Sequence, residues 1–200
     1  PYGDSKGLDY FVNAAGGIDI IIGGPPCQAY SVAGRVRDEN GMKDDYRNYL
    51  FEHYLSVVNR YQPKVFVFEN VPGLLSAMPD GTPIIQLIES GFSGIGYEIV
   101  DDVKKYAKVD ASDYGVPQNR ERLIILGIRK DVCDDVQSIL HKFYLEILPK
   151  YKSKKKTTVA EAIGDLPKIL PIIDSKDLKS RIGYSKPICR TTWHKARRHS

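Results

Sequence analysis

Residues 18–28 read IDIIIGGPPCQ, and this stretch decides the fold class of the chain. Its β-branched run predicts a buried strand, which the glycines and prolines at 23–26 end in a sharp turn. A second run of this kind, KVFVF at 64–68, follows a predicted helix over residues 46–61. Strands that alternate with helices are typical of a parallel sheet covered on both faces, so the sequence predicts an α/β fold.

The same pattern continues to about residue 130. A short amphipathic helix over residues 83–90, closed by Gly91, leads to a predicted strand at 97–108, and LIILGI at 123–128 forms the last strand. We expect the last strand to run antiparallel, as the second arm of a hairpin with 97–108. Only that direction brings the polar residues before it to the edge where the other strands end.

The composition changes beyond residue 130. The sequence predicts a helix over residues 135–148 and a lysine-rich linker over 150–156, followed by an irregular segment. We therefore predict one domain at 1–150 and the beginning of a second region at 151–200.

Residues 131–200 also hold 15 of the 29 basic residues and 8 of the 25 acidic ones. Dense cations beside aromatic residues suit a phosphate backbone, and a solvated face is the ordinary alternative.

Length and composition exclude several classes of protein. The chain has 200 residues, of which 42% are hydrophobic, enough for one domain and part of another. No run approaches the roughly 20 apolar residues of a membrane-spanning helix, and the first residues do not form a signal peptide. The three cysteines are odd in number and contain no CxxC pair. This argues against a disulfide scaffold and a structural zinc site, and predicts a reducing, cytosolic-type compartment.

Cys27 follows the first strand in a polar turn stiffened by glycine and proline. The two glycines allow close backbone approach and unusual φ angles, so the turn would hold a thiol rigidly at a strand end. Dipoles at that end could favour the thiolate, which is the nucleophilic form of cysteine. The alternative, a buried cysteine acting as a small hydrophobe, is the role that we assign to Cys133 and Cys189.

Glu69 and two arginines provide further polar groups at the same predicted edge. Glu69 ends an apolar strand, where partial burial would favour its neutral, hydrogen-donating form. A carboxylate that caps backbone amides or pairs with arginine is an equally good interpretation. Arg120 and Arg122 lie two residues apart, hence on one face of an extended segment, where their forks could bind carbonyl oxygens or phosphates. A surface ladder with Glu121 is the alternative for either arginine.

The polar loop at residues 29–49 has no apolar period, and a loop of this length inside a domain is most often functional or disordered. Because it follows Cys27 directly, we interpret it as a lid over a substrate. Neither a P-loop nor a GxGxxG motif is present, and GFSGIG at 91–96 is typical of a helix cap and turn.

Together these motifs resemble those of the C5-cytosine DNA methyltransferases. The matching stretches, in family order, are GGPPCQAYS at 23–31, FENVPGLL at 68–75 and DYGVPQNRERLIILG at 113–127. The resemblance covers residues 2–130, and TTVAEAIGDLP at 157–167 is similar to the opening of the family's target-recognition region. It implies a Rossmann-like S-adenosylmethionine-dependent methyltransferase fold, with a partial parallel sheet and an antiparallel last strand, plus the start of that region.

The resemblance also implies a role for each matching residue. Cys27 would add to C6 of cytosine, and Glu69 would hold or protonate N3. Arg122 would contact O2, with Arg120 supporting it or touching phosphate. C5 would then take a methyl group from S-adenosylmethionine, and the cytosine must leave the helical stack to reach the pocket.

Ligand contacts are implied in the same way. Residues 29–49 match the family's mobile catalytic loop. The DNA-binding candidates are Gln28, Ser31 and Gln118. The candidates for binding S-adenosylmethionine are Asp4, expected to meet the adenine amino group, and Pro26 and Leu50.

The resemblance implies double-stranded DNA with a flipped cytosine as the partner, and no membrane. The implied location is the bacterial cytoplasm, in association with the nucleoid. A cognate restriction endonuclease, not in a stable complex, is a further candidate partner. The family's N-terminal cofactor motif would precede residue 1, so the chain resembles the middle of an enzyme and is expected to be weak or inactive alone. Two alternatives stay open: a cytosine-5 methyltransferase acting on transfer RNA, and a non-catalytic DNA-binding fragment. PGLL at 72–75, which replaces the Cys-Phe signature of the RNA enzymes, favours DNA.

Overall fold

The computed structural model describes residues 7–26, 50–78 and 81–166. Its strands are β1 (Ile20–Gly23), β2 (Val65–Asn70), β3 (Tyr97–Ile99), β4 (Lys108–Asp110) and β5 (Glu121–Arg129). Its α-helices are α1 (Leu8–Ala14), α2 (Leu50–Tyr61), α3 (Ile84–Gly94), α4 (Val103–Tyr106), α5 (Val136–Lys142) and α6 (Val159–Ile163). Short 3₁₀ or π segments are Pro72–Ser76, Ala111–Tyr114, Phe143–Ile147 and Leu148–Tyr151.

The strands form one mixed sheet in the order β1-β2-β5-β3, with β4 also paired to β5. β1 and β2 are parallel, whereas β5 is antiparallel to β2, β3 and β4. Four strands therefore share one direction and β5 opposes them, which confirms the predicted antiparallel last strand. The register pairs Asn70 with Leu123, so the beginning of β5 lies beside the carboxyl end of β2.

Apolar side chains cover both faces of the sheet at β2 and β5. On one face Phe66 and Phe68 of β2 pack under α2 and α3, and the ring of Phe66 stacks on Phe92 with centroids 4.0 Å apart. On the other face Leu126 and Ile128 of β5 are buried in the same core as residues of α5. These buried side chains provide most of the stabilisation that holds the sheet edge in place.

The predicted strand at 97–108 is wrong in its middle, because a helical turn divides it into β3 and β4. The Asp102 carboxylate accepts a hydrogen bond of 2.9 Å from the backbone N–H of Lys105, which caps α4 and stops the extended conformation. β5 is long enough to pair with both short strands, so the predicted hairpin partner is right even though the strand is interrupted.

The prediction that Gly91 closes its helix is also wrong, since α3 continues to Gly94. A Cβ at Gly91 would lie 3.0 Å from a methyl carbon of Leu55 in α2. The glycine therefore serves the close packing of two helices. The turn that ends the helix comes at Gly96, which has the left-handed φ of 89° that favours glycine.

Residues 136–151 are helical throughout, which confirms the helix predicted over 135–148. The segment after it contacts the first region: the Lys152 ammonium lies 2.9 Å from the Asp113 carboxylate, and the backbone N–H of Ser153 donates to the Asp113 carbonyl at 2.7 Å. Among the residues that the structure describes, no helix combines the length and the apolar character needed to cross a bilayer.

Candidate active site

Three chain segments meet at the carboxyl edge of β1 and β2. β1 ends at Gly23, and the turn after it leads towards Cys27. β2 ends with Glu69 and Asn70, and β5 begins one residue before Arg122. The sequence predicted this meeting on the condition that the last strand is antiparallel, and the sheet satisfies that condition.

Glu69 and Arg122 form an ion pair at this edge. The Arg122 Nε lies 2.9 Å from Oε1 of Glu69, and the side chains of Arg122 and Glu69 are 22% and 42% exposed respectively. The Arg122 Nη1 also donates to the carbonyl oxygen of Glu121 at 2.7 Å, which fixes the plane of the guanidinium. The pairing with arginine, one of the two interpretations of Glu69, is therefore present. The carboxylate stays accessible from the edge, so it can still contact a ligand.

Gly24 passes close to this carboxylate. A Cβ at Gly24 would lie 2.6 Å from Oε2 of Glu69 and 3.4 Å from its carbonyl oxygen, so a side chain there would displace the carboxylate. The predicted close approach is thus confirmed at Gly24. The predicted unusual φ is not observed, because Gly23 and Gly24 are not among the glycines with positive φ. The reason for glycine here is space.

Two residues of the site lack a role in the sequence interpretation. Asn70 is buried, and its Oδ1 accepts from the N–H of Val71 at 2.9 Å, which ends β2 in a defined turn. Tyr54 of α2 is half-buried, and its hydroxyl reaches the carbonyl oxygens of Val67 at 2.9 Å and of Ile21 at 3.2 Å. A tyrosine on the predicted apolar helix face was the available signal, because a buried tyrosine hydroxyl needs a partner.

Arg120 and Gln118 precede β5 and are exposed. The backbone N–H of Arg120 donates to Oδ1 of Asp110 at 3.2 Å, so this acid orders the approach to the strand. Hydrogen bonding from the backbone N–H of Ser112 is the largest of the causes that lower the pKa of Asp110. The Arg120 side chain takes no part in the Glu69–Arg122 pair.

Pro26 is exposed and Leu50 is half-buried. Leu50 begins α2, one turn before Tyr54 contacts the end of β1, so both residues border the carboxyl edge. Both residues leave apolar surface accessible at this edge. Cys133 is half-buried and packs against the core, as predicted for a small hydrophobe.

The remaining predicted residues lie outside the described ranges. They are Asp4, Cys27, Gln28, Ser31, Cys189 and the loop at 29–49. In the described part of the chain, no group of three or more His, Cys, Asp and Glu could hold a metal ion.

Comparison with known proteins yields consistent relatives. The family model for C-5 cytosine-specific DNA methylase matches residues 2–192. The chain is 38% identical over 157 residues to the type II methyltransferase M.Bpa9945I of Bacillus paralicheniformis, covering 77% of this chain and 33% of that protein. It is 40% identical over 151 residues to M.XorII of Xanthomonas oryzae pv. oryzae, covering 75% of this chain and 30% of that protein.

A solved structure agrees with these sequence matches. A candidate DNA modification methyltransferase encoded within an E. coli prophage shares 32% sequence identity and a TM-score of 0.55, covering 82% of this chain and 40% of that one. The chain spans about a third of the length of the curated relatives it matches. The strand order, the three motifs and these matches agree: the chain belongs to the C-5 cytosine-specific DNA methylase family.

Proposed function

We propose that this chain forms the catalytic core of an enzyme that methylates C5 of cytosine in DNA. The observation that carries the proposal is the Glu69–Arg122 pair of 2.9 Å, beside the Gly24 turn that leads three residues later to Cys27. A nucleophile, a proton donor and a fork of N–H donors then share one sheet edge, as the reaction requires.

Each residue has a defined part in the first step. The Cys27 thiolate forms a bond to C6, and the electrons of the C5–C6 double bond move towards C5 and the ring. In its protonated form Glu69 gives a proton to N3, or shares one with it, so the negative charge that develops on the ring passes to a carboxylate that Arg122 stabilises. The Arg122 Nε faces the Glu69 carboxylate, and Nη1 donates to the Glu121 carbonyl oxygen. The other N–H groups of the guanidinium remain as donors for the cytosine O2.

The later step reverses the addition. Once C5 carries the methyl group, a water molecule takes the C5 proton, the C5–C6 double bond re-forms and the Cys27 thiolate leaves C6. N3 returns its proton to Glu69. S-adenosylmethionine is the methyl donor that the family implies, and when bound it supplies an electrophilic methyl group. Asp4, Pro26 and Leu50 are the residues proposed to hold it.

DNA must deliver a single cytosine to this edge, because a stacked base cannot reach Cys27 and Glu69 together. We propose that Gln28, Ser31, Gln118 and Arg120 contact the DNA around the flipped nucleotide. The named relatives are type II methyltransferases. This supports a bacterial modification enzyme that works beside a cognate restriction endonuclease.

A trapped intermediate tests the proposal. Duplex DNA with 5-fluorocytosine at the target position cannot lose a C5 proton, so the full-length protein with S-adenosylmethionine should form an adduct that survives denaturing electrophoresis. Cys27→Ser should abolish the adduct. Cys133→Ser, which changes a half-buried cysteine on the core, should keep it. No adduct with the unchanged protein, or an adduct that survives Cys27→Ser, would contradict the proposal.

A further inference from the structure

Tyr54 links the two strands that carry the site. Its hydroxyl lies 2.9 Å from the carbonyl oxygen of Val67 in β2 and 3.2 Å from that of Ile21 in β1. A hydroxyl has one proton, so the two carbonyls share it, with the shorter contact to β2. Val67 precedes Glu69 by two residues, and Ile21 precedes Gly23 by two. The contact therefore lies just inside the reactive edge.

The Tyr54 ring also packs against the end of β1. A Cβ at Gly23 would lie 2.6 Å from Cε2 and 3.0 Å from Cδ2 of Tyr54, so the ring occupies the space of a side chain at the end of β1. The ring also packs edge-on against Phe68, with centroids 5.3 Å apart. Burial raises the pKa of Tyr54. The hydroxyl therefore keeps its proton and remains a donor at neutral pH.

β1 needs such a contact more than the inner strands do. It has four residues, and in the described sheet it pairs with β2 alone. The turn that leads to Cys27 leaves from this short edge strand, so a small movement of its end would change the approach of the thiol to the base.

We propose that Tyr54 is a positioning residue that fixes the carboxyl end of β1 against that of β2. It thereby sets where the Gly24 turn, and the segment leading to Cys27, stand relative to Glu69. This inference rests on the proposed function, because the value of the position lies in the reaction of Cys27 with a base held by Glu69.

The chain contains a matched control in Tyr97. Its hydroxyl is also buried and donates to a backbone carbonyl, that of Pro63, at 2.6 Å. Pro63 lies before β2, at the end of the sheet opposite to the site. Tyr97→Phe and Tyr54→Phe each remove a hydroxyl that donates to a backbone carbonyl, but only Tyr54 lies beside the reactive edge.

The test compares the two variants in the full-length protein. Because a displacement of about 1 Å can cost up to a hundredfold in rate, Tyr54→Phe should lower kcat for methylation by about ten- to a hundredfold. KM for DNA should stay within about twofold, since the change affects a transition-state geometry. Both variants should lower the Tm by similar amounts, but Tyr97→Phe should leave kcat within about twofold of the unchanged protein. Equal kcat values for the two variants would show a merely structural role and overturn the proposal.

A second measurement needs no activity. Hydrogen exchange followed by mass spectrometry, on the protein without DNA, reports the opening of peptides that cover residues 20–26. Tyr54→Phe should speed exchange there and Tyr97→Phe should not. If the unchanged protein neither methylates DNA nor forms an adduct, the proposed function fails, and the exchange data alone decide whether Tyr54 holds β1. Unchanged exchange in Tyr54→Phe would overturn the positioning role.

Discussion

Glu69 reaches the reactive edge because of the alternation of side chains along β2. Phe66, Phe68 and Asn70 are buried on one face, so Glu69 emerges on the other, where Arg122 meets it. A carboxylate held by a guanidinium is already oriented before a base arrives. Orientation in advance is what a group that holds N3 would need, because a loosely held group adds an entropic cost to the reaction.

Replacing Glu69 with glutamine tests whether its proton matters. The glutamine side chain would keep an oxygen for Arg122 and lose the acid. We expect Glu69→Gln in the full-length protein to lower the methylation rate by about a hundredfold or more, with DNA affinity changed far less, because the proton acts mainly in the transition state.

The control for this change is Glu98→Gln, which alters a glutamate of β3 whose carboxylate accepts from Gln137 at 3.1 Å, away from the site. Single-turnover rates and binding isotherms for both variants give the comparison. Equal losses of rate and affinity in Glu69→Gln would mean that Glu69 only supports the structure.

Gly24→Ala is expected to act through Glu69. The new Cβ would lie 2.6 Å from Oε2, so the carboxylate must move away from its 2.9 Å contact with Arg122. We expect a loss of about tenfold or more in the methylation rate. The same change made in Glu69→Gln should cost less, because the two substitutions affect one interaction.

Gly94→Ala is the matched control, because a Cβ there meets nothing within 4 Å. It should leave the rate unchanged and stabilise α3 by up to about 1 kcal/mol. Strictly additive effects of Gly24→Ala and Glu69→Gln would show that Gly24 has some other role.

Among single residues, the charged groups of the site could be predicted from the sequence better than the hydrogen bonds to the backbone. Glu69 and Arg122 could be predicted to lie at one edge, because each lies at a strand end, on the assumption that the last strand is antiparallel. The Tyr54 hydroxyl could not be assigned, because its acceptors are carbonyls of Ile21 and Val67, and a carbonyl has no signature in the sequence.

Among the elements, the strands β1, β2 and β5 could be predicted because each is a continuous apolar run between turn residues. The predicted burial of the first strand is wrong for the described part of the chain, because none of the four residues of β1 is fully buried. The division of residues 97–108 could not, because it depends on one Asp102 carboxylate capping a four-residue helix. The end of α3 was predicted too early because Gly91 was interpreted as a helix end. The glycine instead allows close packing against Leu55 of α2, and the spacing of residues along one helix does not reveal its packing partner.

β1 has one covered face and one open face in the described part of this chain. Ile21 packs against the core, whereas Ile20 and Ile22 are 55% and 74% exposed. In the 200-residue chain we expect Ile22→Thr to change the free energy of unfolding by no more than about 0.5 kcal/mol, and Ile21→Thr to lower it by about 1–3 kcal/mol. Urea unfolding of the two variants, followed by circular dichroism, gives both values. Equal destabilisation would mean that another element covers Ile22.

Over the whole molecule, the lysine-rich segment at 150–156 is partly used in internal ion pairs. Lys152 and Lys156 lie 2.9 and 3.5 Å from the Asp113 carboxylate. The hydrogen bond from Lys152 is the largest cause that lowers the pKa of Asp113. Lys150 and Lys154 are exposed and make no ion pair with the described residues. The positive charge open to a phosphate backbone is therefore smaller than the sequence count indicates.

Two double variants of equal charge separate these groups. Lys150→Gln with Lys154→Gln removes two unpaired cations, and Lys152→Gln with Lys156→Gln removes two that face Asp113. In the first variant, the slope of log affinity against log salt concentration should fall in magnitude by up to about two, because each phosphate contact releases about one counterion. The second variant should change the slope less, because DNA would have to displace a carboxylate to use those lysines. Fluorescence anisotropy over a range of salt concentrations measures both slopes. Equal reductions would mean that the ion pairs open when DNA binds, and two unchanged slopes would mean that the segment does not touch DNA.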